Sequence, residues 1–165
     1  KLAPEVMCAV WAEALFELTR SYVRSVVMVK GLPFFGVPEM RFVKVALATE
    51  RGGGNNVFLL EELIDGDFVK YINNGNAAIC LNRREEQYNS RAEFLSFSQH
   101  YQYWKTQKLA FISDYQGSLA LLTDPQIITH PRLGSIFASG NVVETFENFE
   151  QEHVCNRYCR YFELP

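Results

Sequence analysis

No run of apolar residues in this sequence approaches the roughly 18 that a membrane-spanning helix needs, so no spanning segment is expected. The N-terminus also lacks the succession of basic, apolar and small residues that marks a secretory signal, and the reading at this point is a cytoplasmic protein. Basic blocks are missing too: 16 Lys and Arg stand against 19 Asp and Glu, for a net charge of −3. Nucleic acid is therefore not an expected partner, because an electrostatic footprint needs clustered positive charge. Cysteine is scarce, with four in 165 residues, which excludes a disulfide scaffold. Histidine is scarcer, with three. The chain opens on Lys1 rather than Met, which reads as a fragment or a processed product. No internal repeat or low-complexity tract is visible.

What is present suits one substantial core. A chain of 165 residues with 48% hydrophobic content buries roughly 70% of the surface its unfolded form exposes, so one domain with room for two lobes is expected. Residues 3–23 carry Val6, Val10, Trp11, Ala14, Leu15 and Leu18 at helical spacing behind Pro4, predicting an amphipathic helix. Residues 25–30 (SVVMVK) form a β-branched run stopped by Gly31 and Pro33, and predict a strand. Residues 41–49 and 56–61 predict two more strands around the glycine-rich turn 51–56, giving an antiparallel sheet with the helix against it. That turn would serve as a plain hairpin loop; without a following helix N-terminus, a phosphate-cradling role has weak support.

The polar, glycine-containing stretch 62–76 reads as a hinge to a second lobe. Residues 88–106 predict a helix with Phe94, Phe97, Tyr101 and Trp104 at steps of three and four, and His100 rides on it. A short strand is expected over 109–115, with 119–123 continuing it or pairing with it, followed by an irregular loop over 125–141. Residues 142–152 predict a helix with Asn141 as its N-cap.

Two clusters carry chemistry. Asp114 and Gln116, two residues apart at a strand end, would share a face, and Asp124 follows eight residues later. These side chains offer oxygen donors, which suit magnesium better than zinc, and a strand-end acid can orient a hydroxyl nucleophile. The bland alternative is that each aspartate is a turn-former or a cap. The second cluster is H-x-C-x-x-x-C at His153, Cys155 and Cys159. If this segment is helical, the two thiols lie one turn apart on one face with His153 at its entrance. Three such ligands leave zinc one short, and only His100 and His130 remain as histidine candidates. The thiols could instead be inert core residues, as Cys8 and Cys80 are expected to be. A disulfide between them fits poorly, since Cβ atoms one turn apart are about 5–6 Å distant and a bridge wants about 3.8 Å.

Several motifs, in one order, resemble those of the atypical alpha-kinases. Residues 61–71 (EELIDGDFVKY), with Asn73 and Asn74, resemble that family's hinge and the segment after it. Residues 97–100 (FSQH) resemble its F-S-H helix with one residue inserted. The runs 114–117 (DYQG) and 122–127 (LTDPQI) resemble its D-x-Q-G and L-T-D-P-Q-I signatures, and Gly140-Asn141 and 153–159 its glycine-rich loop and zinc motif. The likeness spans roughly residues 57–165.

This resemblance implies an α+β, two-lobed protein-kinase-like fold, with an incomplete N-lobe over 1–61 and a zinc-tied C-lobe over 62–165. It implies His100 as the fourth zinc ligand, because His100 stands fourteen residues before Asp114, the spacing the family shows. The zinc, held by His100, His153, Cys155 and Cys159, would be structural, and His130 a loop residue. By the same likeness Asp114 orients, or takes the proton from, a substrate hydroxyl. Gln116 and Asp124 hold Mg2+ on the phosphates of ATP, Glu61 meets the adenine, and Lys70 and Asn141 lie near phosphate or peptide. The implied activity is transfer of the ATP γ-phosphate to Ser or Thr of a protein substrate; the alternative is an inactive zinc-stabilised pseudokinase acting as a binding module. Two departures stand out. The family's nucleotide-binding lysine lies on a strand ahead of the first helix, where Lys1 is too close to serve, and the glycine loop carries Ala138 and Val143 where glycines are expected.

Overall fold

The computed structural model describes residues 2–52, 56–81, 85–134, 136–137 and 140–165. Helix α1 (Leu2–Lys30) is far longer than its apolar spacing suggested and absorbs the run 25–30 that was expected to be a strand. Gly31, at φ +89°, ends it, with its N–H returning to the Val27 carbonyl at 2.9 Å. The buried face of α1 is Cys8, Ala12, Phe16, Thr19 and Val23, whereas Val10 and Trp11 are exposed. The choice of stripe was decided by Phe16, whose ring meets Phe42, Phe94 and Tyr115 in the core.

The expected strand over 41–49 is broken. β1 (Arg41–Phe42) and β2 (Val45–Thr49) enter different sheets. β2 pairs antiparallel with β3 (Val57–Glu61), in register from Val45 opposite Glu61 to Thr49 opposite Val57. β1 instead runs parallel to β7 (Leu121–Thr123), within a sheet ordered β1-β7-β6-β4. Its other members are β6 (Gln116–Gly117) and β4 (Val69–Lys70), both antiparallel to their neighbours. The pairing of β1 with β7 was illegible in sequence because 80 residues of chain separate Arg41 from Leu121.

Helix α2 (Glu86–Lys105) is nearly as expected, with Phe94, Phe97 and Tyr101 buried and Trp104 turned partly to solvent. β5 (Ala110–Ser113) pairs antiparallel with β8 (Gln126–Thr129), so the supposed irregular loop over 125–141 begins with a strand. A 3-10 turn (Pro131–Leu133) follows, capped by His130, whose Nδ1 accepts from the Arg132 N–H at 3.0 Å. Helix α3 (Val143–Glu152) starts one residue late, with Val142 at its N-cap, because Asn141 spends its side chain elsewhere. Helix α4 (Arg157–Tyr161) closes the fold, capped by the Asn156 carboxamide. One buried cluster runs from Cys8, Phe16 and Phe42 through Phe94 and Tyr115 to Tyr158 and Phe162, so residues from both sides of position 61 share it. No helix among the described residues is long and apolar enough to cross a membrane.

Candidate functional site

β4, β6 and β7 lie side by side, with Lys70 opposite Gln116 and Gln116 opposite Thr123. This register gathers residues scattered over 55 positions. Lys70 Nζ forms an ion pair with Asp114 and donates to Gln116 Oε1 at 3.1 Å. Gln116 Nε2 donates in turn to Asp114 Oδ2 at 3.4 Å and Asp124 Oδ2 at 3.2 Å. Asp114 and Gln116 do not share a strand face, as had been expected. Asp114 sits in the bend between β5 and β6 at φ +57° and Asp124 follows β7 at φ +46°, so both non-glycine residues occupy the left-handed region. Such conformations cost free energy and persist only where the surroundings hold them. Here the Tyr115 carbonyl accepts from the Tyr71 and Ile72 N–H groups at 2.8 and 3.2 Å, and the Tyr115 ring is fully buried.

A pocket of about 260 Å³ opens beside this group, lined among others by Ala9, Val45, Leu59, Glu61 and Asp124. Thr123 Oγ1 donates to Glu61 Oε1 at 3.3 Å, joining the end of β3 to the strand that leads into Asp124. Thr123 was not singled out from the sequence, although it stands inside the L-T-D-P-Q-I run. Asn141 turns away from this group: its Oδ1 accepts from the Thr129 N–H at 3.0 Å and its Nδ2 donates to Thr129 Oγ1 at 2.7 Å. That commitment explains why it does not cap α3. Asn74, which pattern alone did not rank, donates to the Gly140 carbonyl at 2.9 Å and accepts from Thr145 Oγ1 at 2.8 Å. It thus pins the entrance of α3 to the segment after β4. Of the altered glycine-loop positions, Val143 is the first residue of α3, and Ala138 lies outside the described residues.

The second cluster also assembles. One ligand atom from each of His100, His153, Cys155 and Cys159 lies within 4.8 Å of all the others. Cys155 Sγ is 3.7 Å from His100 Nδ1 and 3.8 Å from His153 Nε2, and Cys159 Sγ is 3.7 Å from His153 Nε2. A tetrahedral zinc with the usual bond lengths of about 2.0–2.3 Å would set neighbouring ligands roughly 3.3–3.8 Å apart, so the donor set fits that ion. The route to this geometry differs from expectation. Residues 153–156 are not helical, and α4 begins only after Cys155, so no common helical face carries the ligands. His153 ends α3 in an extended conformation, which brings its ring to 4.6 Å from that of His100.

Burial pushes the His153 imidazole down to about 4, with help from neighbouring His100, and lowers His100 for the same first reason. Burial pushes the Cys159 thiol up to about 12. Burial thus disfavours charge on the two imidazoles and on the Cys159 thiol, and a divalent cation would reverse that for the thiol. Of the other two cysteines, Cys8 is buried and donates to the Pro125 carbonyl at 3.3 Å, while Cys80 is partly exposed.

The chain is 35% identical over 141 residues to transient receptor potential cation channel subfamily M member 7 of Homo sapiens, covering 82% of this chain and 7% of that protein. It is 36% identical over 105 residues to myosin heavy chain kinase C of Dictyostelium discoideum, covering 63% of this chain and 12% of the relative. The chain therefore spans a small part of the curated relatives it matches. Among solved structures, the apoenzyme alpha-kinase domain of myosin-II heavy chain kinase A superimposes with a TM-score of 0.62 at 25% identity, covering 93% of this chain and 59% of that one. The same domain in complex with ADP gives a TM-score of 0.61 at 25% identity, with 93% and 57% covered. The sequence profile of the alpha-kinase family matches residues 21–159. With most of its length inside that profile and its fold superimposing on solved alpha-kinase domains, this chain belongs to the alpha-kinase family.

Proposed function

We propose that this chain forms the catalytic part of an ATP-dependent protein serine/threonine kinase. The observation that carries the proposal is the convergence of Lys70, Asp114, Gln116 and Asp124 on one hydrogen-bonded point beside a pocket that Glu61 lines. Phosphoryl transfer asks a protein mainly for positioning and charge neutralisation, and this group offers an ammonium, two carboxylates and an amide. In the proposed reaction the hydroxyl oxygen of a protein Ser or Thr attacks the γ-phosphorus. The new O–P bond forms as the bond to the β-phosphate oxygen breaks, ADP leaves, and the hydroxyl proton passes to the Asp114 carboxylate. Lys70 holds that carboxylate in place before substrate arrives.

Asp124 and Gln116 would hold Mg2+, which supplies neutralisation of phosphate charge. Their oxygens suit a hard cation, and the Gln116 amide would turn its oxygen, now facing Lys70, toward the ion. Glu61 and Thr123 stand on the adenine side. Residues 1–61 would contribute to the N-lobe and 62–165 form the C-lobe, with a structural Zn2+ on His100, His153, Cys155 and Cys159 tying α2 to α4. That ion would have four protein ligands and no open position, which fits a fastening role and not a catalytic one.

The test is γ-phosphate transfer to a basic protein by the full-length protein containing this chain, with Asp114→Ala as the control. Transfer by the parent and its loss in Asp114→Ala are expected. Equal signal from the two removes the enzyme reading and leaves a zinc-stabilised pseudokinase that works by binding.

A further inference from the structure

Arg41 has no place in the phosphate-transfer group, yet its side chain joins the two strands on which the pocket depends. Its guanidinium grips Glu62 with both arms, Nη1 to Oε2 at 2.7 Å and Nη2 to Oε1 at 2.8 Å. Glu62 directly follows Glu61, the last residue of β3. The same carboxylate accepts from the Lys44 N–H at 3.2 Å, while the Glu62 N–H donates to the Lys44 carbonyl at 3.0 Å. Arg41 itself lies on β1, which is locked to β7: the Arg41 N–H donates to the Ala120 carbonyl at 3.1 Å and the Val43 N–H to the Leu122 carbonyl at 2.8 Å. β7 then runs into Thr123 and Asp124.

β1 is also fastened to α1. Glu13 Oε2 accepts from the Phe42 N–H at 3.3 Å, and Arg20 Nη1 donates to the Met40 carbonyl at 3.3 Å. A continuous path therefore runs from α1 through β1 and Arg41 to the residue beside Glu61. By contrast, the β2–β3 hairpin makes no other strand pairing among the described residues, and a two-stranded ribbon alone is marginal in water. The hairpin also rests against α1 and meets β7 through the Thr123–Glu61 hydrogen bond, and the Arg41–Glu62 pair adds a charged tie at its base.

We propose that Arg41 and Glu62 are a positioning clamp that sets the Glu61 end of β3 against the Asp124-bearing strand, so that the pair governs recognition of the nucleotide base without touching the transferred phosphate. The proposal rests on the reading of the Glu61 pocket as the adenine side. A bidentate guanidinium–carboxylate fork fixes distance and orientation together, which a lysine cannot do. The pair is partly open to water, with 41% and 31% of the two side chains exposed, so its contribution to stability is small and its effect lies in geometry. The Arg41 hydrogen bonds, and next the Lys44 amide, hold the Glu62 carboxyl down at about 2, which keeps the clamp charged at any working pH.

The experiment compares the full-length protein with Arg41→Leu, Glu62→Leu, Arg41→Lys and the exchange Arg41→Glu/Glu62→Arg. KM and kcat are measured with ATP and with GTP, together with the dissociation constants of the non-hydrolysable analogue AMP-PNP and its guanine counterpart. Each leucine variant is expected to raise the KM for ATP about tenfold and to narrow the preference for ATP over GTP, with kcat held within about threefold. Arg41→Lys falls between, and the exchange recovers much of both losses. A merely structural pair would lower melting temperature and kcat and leave the base preference alone, and that result overturns the proposal, as does an unchanged KM. Should Arg41→Leu fail to fold, Arg41→Lys decides the matter by the same two readouts. A parent protein that binds AMP-PNP but transfers no phosphate refutes the kinase reading alone, and the dissociation constants then decide the clamp. One that binds neither nucleotide refutes both.

Discussion

Gly117 packs so closely on the Leu121 carbonyl that a Cβ at position 117 would lie 2.0 Å from that oxygen. Its φ of +146° is also one that residues with a Cβ rarely adopt. The close approach makes the tight hairpin between β6 and β7, in which the Ser118 N–H donates to the same Leu121 carbonyl at 2.8 Å. Because the obstacle is backbone, no side chain can move aside. Gly117→Ala is expected to cost about 3 kcal/mol or more, in the range of strained backbone substitutions. It should also spread Gln116 from Asp124. Chemical denaturation and cation affinity of the variant check both, and a variant of parental stability would contradict the geometry.

The four-ligand cluster predicts about one zinc per chain in purified protein, measured by elemental analysis. Chelation should lower the melting temperature, and Cys159→Ser should do so without chelator, because metal binding energy becomes folding energy. Purified protein without zinc, or a melting temperature indifferent to chelator, would remove the metal assignment.

Acid titration of stability gives a third expectation. The Glu62 carboxyl is lowered from 4.5 to about 2 in the folded chain, so the folded state binds that proton less readily than the unfolded state. Its stabilising effect is fully present above about pH 4.5 and is lost as pH falls from there toward 2. Because the pair is exposed, the effect is small: denaturant midpoints of the parent should drop slightly more across that window than those of Glu62→Gln. Parallel profiles would show that Arg41 does not hold Glu62 in solution.

Gln102 provides a fourth. Buried in α2, its Oε1 accepts from the Ile112 N–H at 2.9 Å, and its Nε2 donates to Ser98 Oγ at 2.9 Å and Thr19 Oγ1 at 3.3 Å. Gln99 Nε2 donates to the Ile112 carbonyl at 2.9 Å. The two amides thus treat the free edge of β5 as a neighbouring strand would, two residues before Asp114. Gln102→Leu strands the Ile112 N–H in the core and should cost about 2–4 kcal/mol. Gln99→Leu should cost less, since the Gln99 Oε1 has no partner to lose among the described residues. Unfolding measurements on both variants test the order, and the reverse order would overturn it.

Local chemistry made much of this protein readable from its sequence. The motifs around Asp114, Gln116, Asp124, His100 and the His153–Cys159 segment stood out because the proposed phosphate chemistry and metal binding would demand particular atoms, and few residue types supply them. The α2 helix was legible because Phe94, Phe97 and Tyr101 repeat at its period. What failed was whatever depends on distant partners. Residues 25–30 have β-branched side chains suited to a strand, but no strand partner; α1 continues through them, with Val26 and Val27 packed on the core. Residues 126–129 became a strand because β5 was there to pair with them, and Asn141 left its capping position because Thr129 offered a better-placed donor and acceptor. His100, His153, Cys155 and Cys159 do come together in the structure, while the helix expected to carry three of them does not form there, since four side chains can meet by several backbone routes. Likewise, the sequence determined which side chains are available near Asp114, but the tertiary structure decided how the Glu61 and Asp124 sides face each other, through the parallel pairing of β1 with β7, the Thr123–Glu61 hydrogen bond, the packing of β2 and β3 on α1 and the Arg41–Glu62 fork. Those contacts span separations over which neither propensity nor periodicity carries information.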